Sequence, residues 1–345
     1  MSHKRLVCPR HNTIELAEYT LPDVLAVGEV LIRNTAGAEK HGTMEAFVRK
    51  YGNKRGGWDA QRQMHTPGEG LGWGYPIPLG NIQVGFVESA GTGVSRYKTG
   101  DRVLFFCGFE PYSVIKETEG WLIRPDTCWK AATCLDPATF AFAALRDSGA
   151  RLGDSVAVFS LGAIGLMAVA LAKMAGCYPV IAIDPIESRR KVGATLGADI
   201  TLDPLGLDTG MKLRELTNWR GVDRVIEYSG AVPALNAAIR GVAFGGTIAC
   251  GAFPTPYSEG LDFGGEAHMN RPNILFTRAD SDPNRDHPNW DKARIHETVL
   301  RLILEGKING EAIISPVVKF SDNLVADYER IMADKDHSVK MGLEY

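Results

Sequence analysis

The stretch Ser160-Leu161-Gly162-Ala163-Ile164-Gly165, followed roughly 20 residues later by Asp184, has the residue types and spacing to hold a dinucleotide. Glycine at 162 lets the backbone approach a pyrophosphate, and glycine at 165 lets a helix pack closely on the preceding strand. The free N–H groups that begin such a helix face the phosphates. Asp184 can accept hydrogen bonds from both hydroxyls of an adenosine ribose, which selects NAD. A 2′-phosphate would meet its charge, a repulsion that Arg189 and Arg190 would only partly offset. Serine stands at 160, where this fingerprint usually has its first glycine.

Those residues need a strand before the turn, a helix after it and a second strand ending at Asp184. The runs 156–160 and 180–183 supply the strands, and a helix between them runs to Gly176. Further strands are expected at 199–202, 224–228, 246–250 and 274–277, with helices between. Such alternation predicts a doubly wound parallel sheet. Ser229-Gly230 and Gly251-Ala252 end two of these strands, where ligands of such sheets lie, and are candidate neighbours of the cofactor.

The front of the chain reads differently. Residues 4–36 alternate like strands, most clearly at 30–35, and strand character returns at 80–88, 97–105, 112–115 and 121–123. Many short strands at this spacing indicate a small β-barrel or sandwich. A polar loop rich in Arg, Lys, Gly and Trp fills 49–75, long enough to suspect a function. A helix is expected over 131–150, with Pro137 as a kink. After a charged loop that ends at Trp290 come a helix at 295–305, a strand at 313–319, a helix at 323–333 and a strand at 340–343.

With 345 residues, 45% hydrophobic and 23% charged, the chain has the make-up of a soluble globular protein of about two domains. Its 38 basic and 41 acidic side chains give a net charge of -3, no reason to expect nucleic acid or a membrane as partner. No run is long enough to span a bilayer, and the N-terminus lacks a signal-peptide core. The cysteines are Cys8, Cys107, Cys128, Cys134, Cys177 and Cys250, with no CxxC pair among them. Free thiols and a cytoplasmic location are the expectation.

The order of elements resembles the medium-chain dehydrogenase/reductase superfamily, that of the zinc alcohol dehydrogenases. The resemblance rests on the 30–33 strand, Lys98-Thr99-Gly100-Asp101-Arg102-Val103, Arg151-Leu152-Gly153-Asp154-Ser155-Val156 and the turn at 160–165. Ala194-Thr195-Leu196-Gly197-Ala198-Asp199 and Gly245-Gly246-Thr247 also carry it. It implies a GroES-like β-barrel catalytic domain over 1–135 and 281–345 and a Rossmann coenzyme domain over 136–280. It also implies an active site in the cleft between them, and a homodimer or homotetramer.

The resemblance fails at the metal. Zinc-dependent members use a Cys, the His of a Gly-His-Glu motif, and a later Cys or Glu. Here Lys40 falls at the first position, Gly80-Asn81-Ile82 replaces the motif, and Asp136-Pro137 stands for Glu-Pro. The cysteine quartet for structural zinc is also missing, since Phe105 is followed by Phe106-Cys107-Gly108-Phe109. Zinc needs several N, S or O ligands together, so a zinc-free member is implied, with His41 and Asp136 as the remaining ligands for any metal. Lys40, paired with Asp136 and beside Asn81, would supply the positive charge that stabilises a developing alkoxide.

His41 and His65 are alternative proton carriers. Trp58, Arg55, Arg62, Arg278, Arg285 and Trp290, on the two long loops, suit a polar, oxygen-rich substrate. The expected activity is NAD-dependent interconversion of a secondary alcohol and a ketone on a sugar, cyclitol or related molecule. The rivals are a zinc-free NADPH-dependent quinone or enoyl reductase and a dinucleotide-binding protein without catalysis.

Overall fold

The computed structural model describes residues 2–50, 56–66, 74–253, 257, 260–280 and 288–345. Among them the chain forms two compact units, Met1–Thr133 with Ile314–Tyr345, and Cys134–Ile313. The second unit thus runs past residue 280, because the helix Lys292–Leu304 packs on the helix Leu135–Asp147 within it.

The first unit is built of antiparallel sheet. The strand Glu29–Ala38 lies at its centre and pairs with Ile82–Ala90, Tyr112–Lys116 and Lys340–Glu344. Arg102–Phe106 and Trp121–Leu122 extend the sheet on one side, and Ile314–Lys319 joins Lys340–Glu344 on the other. A smaller sheet pairs Ser2–Cys8 with Glu15–Thr20 and Ile77–Pro78. Period-two alternation puts Val30 and Ile32 inside with Val87, Val103, Phe105 and Ile115, all buried. A second cluster, including Leu6, Met44, Phe47, Leu79, Phe109, Tyr328 and Leu343, packs the helix Leu324–Ala333 onto the same unit.

The polar segment read as a loop contains a short hairpin, Gly57–Asp59 paired with Met64–Thr66. Its strands carry no apolar alternation, so periodicity could not reveal them. Pro137 does not kink a helix. It sits in the first turn of Leu135–Asp147, where its missing N–H would have had no partner. The helical stretch is divided earlier, between Trp129–Ala132 and Leu135–Asp147.

The second unit is a six-stranded parallel sheet. Its order is Ile200–Leu202, Val180–Ile183, Val156–Phe159, Val222–Glu227, Val242–Cys250, Asn273–Phe276. That is the 3-2-1-4-5-6 order of a doubly wound fold, and the order reverses between Val156–Phe159 and Val222–Glu227. Helices cover the sheet, which is why Val156–Phe159 and Val180–Ile183 are apolar throughout and buried throughout. The helix Ala163–Met174 buries Leu166, Met167, Ala168, Val169 and Leu171 and ends at Gly176, whose φ of +79° few other residues would adopt. No helix among the described residues is long and apolar enough to cross a membrane.

Candidate active site

At the switch point the chain leaves the strand Val156–Phe159 through Ser160, whose φ is +72°. A left-handed residue is what the usual glycine supplies at this position, and serine adopts it here at some steric cost. Ser160 N–H bonds the carbonyl of Ile183 at 2.9 Å. The tightness of the turn appears at Gly165, where an added Cβ would stand 1.8 Å from the Ser160 carbonyl oxygen. Gly162 is the opposite case, since a Cβ there would have no heavy atom within 4 Å. It caps the helix Ala163–Met174 without a side-chain hydrogen bond, so the first-turn N–H groups are left for a ligand.

Asp184 ends the neighbouring strand and is only 3% exposed. Its Oδ2 accepts from Leu161 N–H at 2.7 Å and its Oδ1 from Ile186 N–H at 2.8 Å. The carboxylate therefore fixes the glycine turn while each oxygen keeps a lone pair for a ribose hydroxyl. Arg190 donates to the Asp184 carbonyl at 2.7 Å and pairs with Asp203 at 3.1 Å, which spends it on structure.

A cavity of about 790 Å³ opens beside the turn, within the size range of small-molecule sites. Ser160, Asp184, Arg189 and Ser229 line it, with apolar walls from Ile186, Leu205, Leu207, Pro233 and Ala234. These residues fit an adenine nucleotide: an apolar slot for the base, a carboxylate for the ribose, and open backbone at Gly162 for phosphate. Leu161, Ala163 and Ile164 contribute through the turn and the helix start. Gly230 is held beside Ser229 by Glu227. Gly251 and Ala252 follow the strand Val242–Cys250 outside the lining of this cavity, and an added Cβ at Gly251 would strike the Tyr228 ring at 2.2 Å.

Glu227, at the end of the strand beside Ser229, is a buried acid that sequence reasoning missed. It is fully buried at the end of its strand, and its carboxylate accepts from Ser229 N–H at 2.6 Å, Gly230 N–H at 3.1 Å and the Ser229 hydroxyl. Burial pushes its carboxyl above the usual range, opposed by those hydrogen bonds. The available signal was an acid closing the apolar run Val225-Ile226.

In the first unit Lys40 is half-buried, directly after the strand Glu29–Ala38, and caps the short helix His41–Glu45. The side chain of His41 lies outside the described residues. Asn81 follows the Gly80 turn; its carbonyl accepts from Cys107 N–H at 3.1 Å, while its buried Nδ2 has no hydrogen-bond partner among the described residues. An orphaned buried amide of this kind is one that a bound oxygen would satisfy. Asp136 belongs to the second unit, 5% exposed in the first turn of Leu135–Asp147.

Glu39, also missed, is completely buried. Its carboxylate accepts from Lys40 N–H at 2.7 Å and Gly80 N–H at 2.9 Å. Burial raises its pKa, against the pull of those N–H groups and of the Lys340 charge. Lys340, itself 2% exposed, donates to the Glu39 carbonyl.

Among the described residues no three His, Cys, Asp or Glu side chains converge. Asn81 offers a neutral amide, Ile82 is buried hydrocarbon, and both Glu39 oxygens are already engaged by N–H groups.

The candidate substrate residues separate. Trp58 and His65 face each other across the short hairpin, ring centroids 5.2 Å apart, with Trp58 53% exposed. Arg62 pairs with Asp59 in the turn of that hairpin at 2.6 Å. Arg278 is exposed in the second unit. Trp290 packs on Phe142 at 5.2 Å and carries the Arg294 guanidinium 4.1 Å above its ring, a structural use of the indole. Arg55 and Arg285 lie outside the described residues.

Comparison with known proteins adds three findings. A sequence profile described as zinc-binding dehydrogenase matches residues 163–279. D-guloside 3-dehydrogenase of Escherichia coli (strain K12) is 39% identical over 358 residues, spanning 99% of this chain and 100% of that one. Two solved structures share the fold. One is 2R,3R-butanediol dehydrogenase from Bacillus subtilis, with a TM-score of 0.78 at 20% identity over 99% of each chain. The other is galactitol-1-phosphate dehydrogenase from Escherichia coli, with a TM-score of 0.78 at 19% identity over 99% of this chain and 100% of that one.

Proposed function

The chain belongs to the medium-chain dehydrogenase/reductase superfamily, and from that premise we propose that it is an NAD-dependent dehydrogenase that oxidises a secondary alcohol of a sugar or glycoside without catalytic zinc. The observation that carries most of this reading is Asp184, a buried carboxylate on the wall of the nucleotide-sized cavity. The full-length likeness to D-guloside 3-dehydrogenase supports a glycoside as the alcohol. When bound, NAD supplies the hydride acceptor.

The rest of the chemistry falls to this chain. The Lys40 ammonium stabilises the alkoxide that forms as the hydroxyl loses its proton. Asn81 donates its unpartnered Nδ2 to a substrate oxygen. The His41 imidazole takes the proton that the hydroxyl gives up. The exposed indole of Trp58, braced by His65, offers a face on which a sugar ring can stack.

The test is spectrophotometric: NADH or NADPH formation from a panel of D-gulosides, free hexoses and cyclitols. NAD with a glycoside should give the highest kcat/KM; a preference for NADP, or turnover of quinones and enones instead, would contradict the reading.

Asp184→Ser sharpens it. The substitution removes the charge that repels a 2′-phosphate and the acceptors of Leu161 and Ile186 N–H. The kcat/KM for NAD should fall about tenfold or more, and the NAD/NADP preference should narrow, as expected when a hydrogen bond to a charged group worth about 1.5–3 kcal/mol is lost. An unchanged preference would show that Asp184 does not read the ribose.

A further inference from the structure

We propose that Glu39 is a positioning residue for the reacting centre: its buried carboxylate ties Lys40 to Gly80 and so fixes Lys40 and Asn81 relative to each other. This rests on the assignment of Lys40 and Asn81 above. One oxygen accepts from Lys40 N–H at 2.7 Å and the other from Gly80 N–H at 2.9 Å, so a single side chain joins segments 41 residues apart in sequence.

The Glu39 backbone is held as well. Glu39 N–H donates to the Met341 carbonyl at 2.9 Å, and Lys340 Nζ donates to the Glu39 carbonyl. The buried Tyr328 hydroxyl lies against the carboxylate without completing a normal hydrogen bond. Gly80 has no slack, since its φ is +111° and an added Cβ would meet Phe109 N at 2.6 Å.

The residue type is specific to this task. A carboxyl group offers a separate oxygen to each of the two N–H groups; an amide has one oxygen and an NH2 that would face a second donor. A buried carboxylate is costly to keep, so both donors must stay in register with it. The backbone at Lys40 and at Gly80–Asn81 therefore cannot drift independently.

The experiment is a double-mutant cycle between Glu39→Gln and Lys40→Met, assayed with NAD and methyl D-guloside, with NADH affinity read by fluorescence. Glu39→Gln should lower kcat about tenfold to a hundredfold, the loss that small misplacement of reacting groups brings. NADH affinity should stay within about twofold, because the cavity and Asp184 lie in the other unit. The double variant should be no slower than Lys40→Met alone, because Glu39 acts through Lys40. Wild-type turnover in Glu39→Gln, or losses that multiply in the double variant, would overturn the proposal.

Glu39→Asp keeps the acid but is one methylene too short to reach both N–H groups, and serves if Glu39→Gln fails to fold. It should lower kcat severalfold with the same non-additivity, and wild-type turnover in it would also overturn the proposal. Normal turnover in Lys40→Met alone would instead defeat the assignment of Lys40. The cycle then runs with Asn81→Ala, and multiplying losses there overturn the Glu39 proposal as well.

Discussion

Lys40→Met should reduce turnover about a hundredfold or more while leaving nucleotide affinity unchanged. Losing one preorganised donor to a developing oxyanion costs about 3 kcal/mol, which is that factor in rate. Methionine fills similar space without charge, so the effect isolates the ammonium. NADH binding should survive because the cavity is built wholly from the second unit, whereas Lys40 belongs to the first. Lys40→Arg divides the mechanism. It keeps the charge but changes its shape and cannot release a proton near neutral pH. Activity in the arginine variant and loss in the methionine variant would indicate electrostatic polarisation; loss in both would indicate a proton shuttle or a strict geometric requirement. Steady-state kcat with a D-guloside and NADH titration by fluorescence are the measurements, and normal kcat in Lys40→Met would remove Lys40 from the reacting centre.

Gly165→Ala should abolish nucleotide binding and destabilise the fold. The new methyl carbon would stand 1.8 Å from the Ser160 carbonyl oxygen, a backbone atom that cannot rotate away. Overpacking typically costs about 1–3 kcal/mol, and the upper end applies here, a fall of roughly 6–12 °C in melting temperature for a domain of this size. The turn must shift to relieve the clash, and the Leu161 N–H to Asp184 bond of 2.7 Å shifts with it. Gly162→Ala is the contrasting variant. Its backbone φ is -67° and nothing lies within 4 Å of the added carbon. Its melting temperature should match the wild type while NADH affinity falls, because the methyl occupies the approach of the pyrophosphate. Tight NADH binding by Gly165→Ala would contradict the turn's role.

The two units differ in how far the sequence reveals them. In the parallel sheet the strands Val156–Phe159 and Val180–Ile183 are apolar on both faces, so they stand out as runs, and the glycine turn with Asp184 stands out between them. What spacing could not give was strand order, which depends on pairings such as Val156 with Arg224 across 68 residues. In the first unit the strand Lys340–Glu344 returns to Glu29–Ala38 through Gly342–Ala38 and Leu343–Gly37. That pairing alone brings Lys340 to Glu39, and packing of the helix Leu324–Ala333 brings Tyr328. Glu39 was therefore invisible as a partner of anything, although an acid after Ala36-Gly37-Ala38 was a hint of a buried charge. Pro137 was misread for a local reason: a proline three positions into a helix looks like a kink unless the helix start is known.

The proposed dehydrogenation relies on side chains of this chain and on no zinc. The most direct measurement is zinc content and NAD-dependent turnover of a D-guloside in one sample, before and after treatment with a strong chelator. Well under one zinc per chain is expected, with an initial rate that the chelator leaves unchanged. Stoichiometric zinc, lost together with activity on chelation and restored with it on adding zinc back, would contradict the account.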